Sequence, residues 1–61
     1  MELYIKWRYP NETEDHEHVF HDIDAETISI HYGQLYFSTS KDKDGWLFPL
    51  SHIITMERKE D

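Results

Sequence analysis

"ETISIHYGQLYFSTS", residues 26–40, is the stretch whose reading decides the fold. Polar and apolar side chains alternate on either side of Gly33. Ile28, Ile30 and Tyr32 point one way, and Thr27, Ser29 and His31 the other. On the return, Leu35 and Phe37 face inward. A period of two marks a half-buried strand, whereas a helix repeats at 3.6. Gly33 supplies the tight turn, because glycine adopts positive φ without steric cost. The stretch is therefore a β-hairpin.

The same period extends outward in both directions. In "LYIKWRY", residues 3–9, Leu3, Ile5, Trp7 and Tyr9 alternate with Tyr4, Lys6 and Arg8, and Pro10-Asn11 ends the run. "HVFHDI", residues 18–23, reads as a polar edge strand, with Val19 and Ile23 on one face and Phe20 on the other. "KDKDG", residues 41–45, is a second hairpin loop, since Asp-Gly is a strong turn signal. "WLFPL", residues 46–50, puts Trp46, Phe48 and Leu50 on one face. Its Pro49 confines it to a sheet edge or a bulge. "HIITMER", residues 52–58, has a β-branched run that favours a strand; a short helical turn capped by Ser51 is the competing form. The spacing predicts an all-β chain: one domain over 1–61, a small antiparallel meander of five to six short strands, as a curled sheet or a small barrel.

Sixty-one residues limit what such a chain can bury. A domain of this size removes only about 60% of its unfolded surface from water, so a staple or a partner is common. There is no cysteine, which excludes disulfides and thiolate metal sites. No apolar run approaches the roughly 20 residues that span a bilayer. Met1 to Tyr4 lacks the basic and apolar regions of a signal peptide, so the expected location is the cytoplasm. Nine aromatic residues exceed what so small a core needs and point to a homo-oligomer.

Charge is unevenly placed. The net charge is −7, and residues 11–26 alone carry −7 with no base. Direct nucleic-acid binding is not expected of such a chain, because it depends on neutralising phosphates. A basic partner suits it better. Asp22, Asp24 and Glu26 alternate, so in an extended strand they form one row with a spacing of about 6.6 Å, twice the strand rise. Glu14, Asp15 and Glu17 form the outer fringe. A dense row of one sign can stand in for phosphates and occupy a groove lined with arginine and lysine. The plain alternative is a charged edge that blocks aggregation.

Two other constellations compete. His16 and His18 share a strand face with Asp22 and Asp24, a set that suits a divalent metal, with His31 or His52 as a distant ligand. Separately, Lys6, Arg8, Arg58 and Lys59 lie on the first and last strands, which are neighbours in many small barrels. With Tyr36 and His52 they would bind a nucleotide by charge and stacking. Catalysis finds little support: there is no cysteine nucleophile, no Gly-rich phosphate loop and no HExxH, and no cofactor is expected.

"FHDIDAETISIHYGQLYFSTS" followed by "GWLFPLSHIITMER" resembles small β-sheet proteins of phages and prophages of Gram-positive bacteria. Ile28, Ile30, Gly33, Leu35 and Phe37 carry the first half of that pattern. Phe48, Pro49, Leu50, Ser51 and Ile53 carry the second. The resemblance implies a phage accessory protein, acting in the host cytoplasm. Such proteins inhibit a host enzyme, mimic nucleic acid, or sequester a nucleotide signal used in host defence. The resemblance implies no catalytic residue.

Overall fold

A computed structural model describes residues 1–59. The chain is all-β, with six strands: β1 (Glu2–Trp7), β2 (His16–Phe20), β3 (Ile23–His31), β4 (Gln34–Thr39), β5 (Trp46–Pro49) and β6 (Ile53–Lys59). A single 3₁₀ turn, Leu50–His52, joins β5 to β6. The strands form two three-stranded antiparallel sheets, ordered β2-β1-β6 and β3-β4-β5. The expected all-β antiparallel fold of five to six short strands is what the chain forms, with the strands divided between two sheets that do not close into a barrel. β1 is a central strand that recruits the last strand of the chain to its second edge, so the sheet divides. One backbone bond, Ile23 N–H to Met1 O at 3.1 Å, links the two sheets at the β2–β3 corner, while Arg8 N–H to His52 O at 2.9 Å extends the β1–β6 pair and Leu50 N–H to Gly33 O at 2.8 Å extends the β4–β5 pair. Among the described residues no helix is long and apolar enough to cross a membrane.

The core lies between the sheets. Leu3 and Ile5 from β1 and Phe20 from β2 meet Ile23, Leu35, Phe37 and Phe48 from the other sheet. Period-two alternation explains most of this set: Leu3 and Ile5 are two apart, as are Leu35 and Phe37, and each pair shares a face. Phe20 forms T-shaped contacts with Phe37 at 5.1 Å and with Phe48 at 5.9 Å, a geometry that aromatic quadrupoles favour.

Three turns depart from the sequence reading. β2 stops at Phe20 rather than running to Ile23, because Asp22 takes φ +57° and turns the chain into β3. Phe20, not Val19, is therefore the core residue of this segment, while Ile23 reaches the core from β3. At the β3–β4 hairpin, Tyr32 (φ +51°) and Gly33 (φ +74°) together make the two-residue loop, so Tyr32 is fully exposed rather than aligned with Ile28. A two-residue loop with both φ positive matches the twist of the strands it joins. Leu50 leaves the face of Trp46 and Phe48 to enter the 3₁₀ turn. Ser51 makes no cap there: Pro49 precedes the turn without a side-chain hydrogen bond. Pro49 sits on β5, the edge strand that its missing N–H requires.

Gly45 closes the β4–β5 loop at φ +87°. A Cβ there would come within 2.5 Å of the Tyr36 ring and 2.8 Å of Phe37 O. Gly45→Ala therefore combines an unfavourable φ with a clash against backbone. It is expected to cost about 2 kcal/mol in a urea melt, and an unchanged midpoint would show that the loop has room to shift.

Candidate functional site

The acidic span follows one strand and both its ends. Glu12, Glu14 and Asp15 lie in the loop before β2, Glu17 lies within it, and Asp22 and Asp24 follow it. β2 has five residues and is about 16 Å long, with Glu17 within it and the other acids beyond its two ends. β2 pairs only with β1 among the described residues, so its other edge is open. The edge placement inferred from its polar content is correct.

The two halves of the acidic set are in different states. Two of the three fringe acids, Asp15 and Glu17, are engaged by the protein's own groups. Arg8 Nε donates to Asp15 Oδ1, and Lys6 Nζ lies 3.6 Å from Asp15 Oδ2. The Tyr4 hydroxyl donates to Glu17 Oε2 at 2.7 Å, and Lys59 sits 5.8 Å from the Tyr4 ring centre. These contacts follow from register: Lys6 is opposite Glu17, and Tyr4 is opposite Val19 on one side and Glu57 on the other. The Arg8 hydrogen bond, then the charges of Arg8 and Lys6, hold the Asp15 carboxyl below the usual carboxylate range, outweighing desolvation. The hydrogen bond to Glu17, followed by desolvation and nearby carboxylates, raises the Tyr4 phenol above its ordinary value.

The Asp15 shift has a defined sign. A carboxyl whose folded pKa is depressed stabilises the fold above its unfolded pKa, and that contribution disappears as pH falls through the lowered folded value. In an NMR titration, Asp15 is expected to titrate below the usual carboxylate range, and Arg8→Ala should return it towards that range. An Asp15 midpoint unmoved by Arg8→Ala would remove the guanidinium as the cause.

The row itself is carried by β3, but not as a regular ladder. Between Asp24 and Ser29 the register shifts: the four residues 25–28 of β3 are set against the single residue Phe37 of β4. Asp24 Oδ1 accepts from Glu26 N–H at 3.2 Å, and Asp24 O accepts from the Thr27 hydroxyl at 2.7 Å. Thr27 Oγ1 in turn accepts from Ser38 N–H at 2.9 Å, replacing the ladder bond that the bulge removes. Asp22 lies outside the strand, in the turn before it. The three carboxylates thus do not repeat at a fixed spacing: Asp22 precedes the strand, Asp24 is the last regularly paired residue before the bulge, and Glu26 lies within it. Asp22 and Asp24 line a hollow with Ser38, Ser40 and Lys43. Asp22, Asp24 and Glu26 form no ion pair within 4 Å among the described residues.

Of the nucleotide-capture set only Arg8 and His52 are brought together in one hollow, and the rest are spread apart. β1 and β6 are neighbours, as expected, but antiparallel pairing places Arg58 and Lys59 opposite Leu3 and Glu2, at the far end from Lys6 and Arg8. Arg58 and Lys59 are consecutive on a strand and point to opposite faces. Tyr36 belongs to the other sheet, packed over Gly45. His52 lines a separate hollow with Arg8, Tyr9 and Glu12, and its Nδ1 is buried without a hydrogen-bond partner.

The histidines are also dispersed. His16 stacks on Trp7 and lies 2.9 Å from Glu12 Oε1. His18 meets Phe20 edge-on, and His21 lies 2.9 Å from Glu2 Oε2. Among the described residues no group of three or more histidines or carboxylates is placed to hold a metal ion.

One feature is not singled out by the sequence reading. His16, His18 and Phe20 fall opposite Trp7, Ile5 and Leu3, so they face the inter-sheet side of β2. With Trp7 and Trp46 they line a cleft. The signal is the period of two in His16-x-His18-x-Phe20, which a single strand drawn over residues 18–23 hides. Comparison with family models, with curated proteins and with solved structures found no match.

Proposed function

We propose that the chain is a non-enzymatic binding protein of the phage accessory type, whose carboxylates at Asp22, Asp24 and Glu26 occupy a basic, phosphate-binding surface of a partner protein. One observation carries this reading. Lys6 and Arg8 both engage Asp15, and Asp22, Asp24 and Glu26 have no ion-pair partner within 4 Å among the described residues, Lys43 lining the hollow beside Asp22 and Asp24 without reaching that distance. Internal ion pairing by Lys6 and Arg8 therefore stops at Asp15. Asp22, Asp24 and Glu26, all exposed at the start of β3, are left available to an external cation. Complementary charge of this kind steers association and selects the partner's sign.

The test is displacement. A basic DNA-binding domain is loaded with a fluorescent duplex, and the chain is titrated in. Release of the duplex at low salt, weakening as salt rises, supports the reading. A duplex that stays bound at every concentration of the chain overturns it for that class of partner.

A further inference from the structure

Both tryptophans of the chain line one cleft. It has a volume of about 320 Å³ and is bounded by Trp7, His16, Glu17, His18, Phe20 and Trp46. Phe20 is buried and forms the floor, with its ring centre 5.1 Å from that of Trp46 and 4.7 Å from that of His18. Trp46 is 41% exposed and forms one wall. Trp7 and His16 stack at 5.6 Å and 23° and form another. The cleft runs between β2 and β5, each an edge strand of its own sheet. No lysine or arginine lines it.

We infer that this cleft holds a lysine or arginine side chain presented by an extended, basic segment of a partner protein. Aromatic faces carry a negative quadrupole and attract cations, most strongly when the ring is an indole. The strand that supplies four of the six lining residues lies within the span 11–26, which has a charge of −7 and no base. Glu12 adds a carboxylate 2.9 Å from the imidazole that covers Trp7. The open edge of β2 offers unpaired backbone groups, which an extended segment can meet as an added strand. A neutral apolar side chain would match the rings but leave the charge unused, and an anion would be repelled. The inference rests on the proposed function for the partner being basic, and adds where one of its side chains is gripped.

The probe is an acetylated, amidated pentapeptide Gly-Ser-Lys-Ser-Gly and its counterpart with norleucine, which keeps the alkyl chain but loses the charge. The readout is the pair of indole N–H signals in ¹⁵N NMR, one from each tryptophan of the cleft. The lysine peptide is expected to move both signals saturably at millimolar concentration, and the norleucine peptide to leave them in place. Trp46→Leu keeps apolar cover over Phe20 while removing the ring, and should weaken the lysine peptide by about two- to fivefold, read from Trp7. Equal shifts with the two peptides would overturn the inference in favour of an apolar cleft, and no shift with either would remove the site. Duplex displacement that survives in Trp46→Leu while the indole signals stay unmoved would sink the cleft and leave the acidic row standing. Lysine-dependent shifts without any duplex displacement would do the reverse.

Discussion

Phe37→Ala is expected to leave the chain without a cooperative unfolding transition. Phe37 is fully buried and lies between Phe20, at 5.1 Å, and Phe48, at 6.3 Å. Those two rings come from opposite sheets, so Phe37 is part of the contact that holds the sheets together. Truncating a buried phenylalanine costs about 3–5 kcal/mol. A core of seven buried apolar residues in a domain of this size supplies a margin of about the same magnitude. There is no disulfide to hold the remainder together. Thermal melting followed by near-ultraviolet circular dichroism is the check. A sharp transition close to that of the unaltered chain would mean that the sheets are held by something other than this aromatic layer.

Much of that layer is legible in the sequence. Leu3, Ile5, Leu35, Phe37 and Phe48 fall on the apolar side of a period-two pattern, and each is buried. Alternation identifies the inward face of a strand because side chains must point to opposite sides of the pleat. It does not identify how strands are ordered, so β1 pairing with both β2 and β6 could not be read from it. Nor does it show where a strand ends at a residue of positive φ. Asp22 and Tyr32 both adopt the left-handed region without being glycine; Asp22 puts Phe20 and Ile23 both into the core instead of on opposite faces, and Tyr32 itself leaves the face of Ile28. Ile30 illustrates a third limit: it shares a strand face with Leu35, its direct partner, yet is well exposed because β3 lies at the sheet edge.

The candidate site is legible as charge and illegible as geometry. Counting acids locates the span 11–26, but its division into an engaged fringe and an unpaired row depends on Lys6 and Arg8 both reaching Asp15, a contact across the turn that links β1 to β2. The bulge depends on Thr27, whose hydroxyl serves two backbone groups at once. No spacing rule announces such a residue. The basic clusters show the converse: Lys6, Arg8, Arg58 and Lys59 are on adjacent strands, but antiparallel order puts them at opposite ends.

The triple variant Asp22→Asn, Asp24→Asn, Glu26→Gln is expected to abolish displacement of DNA from a basic domain while leaving the melting temperature nearly unchanged. Amides suit these positions. Asparagine tolerates the positive φ of residue 22. At position 24 the amide oxygen of asparagine can still accept from the backbone N–H of residue 26, as the Asp24 carboxylate does. The Thr27 bond to the backbone oxygen of residue 24 does not involve the side chain there. What is lost is charge. Removing three carboxylates from contact with cations, at about 1 kcal/mol each, corresponds to roughly a hundredfold loss of affinity. A loss of folding in this variant, seen by circular dichroism, would instead show that the bulge needs the carboxylates themselves.

Placement of charge, rather than its amount, is the central claim, and one comparison tests it most directly. A second variant, Asp42→Asn, Asp44→Asn, Glu57→Gln, removes the same formal charge from the β4–β5 loop and β6. Both variants are titrated against the same duplex-loaded basic domain at the same salt concentration. The bulge variant should lose displacement by roughly a hundredfold, and the charge-matched variant by no more than a few-fold. Equal losses would contradict a localised site, and would mean that the chain acts only through its net charge.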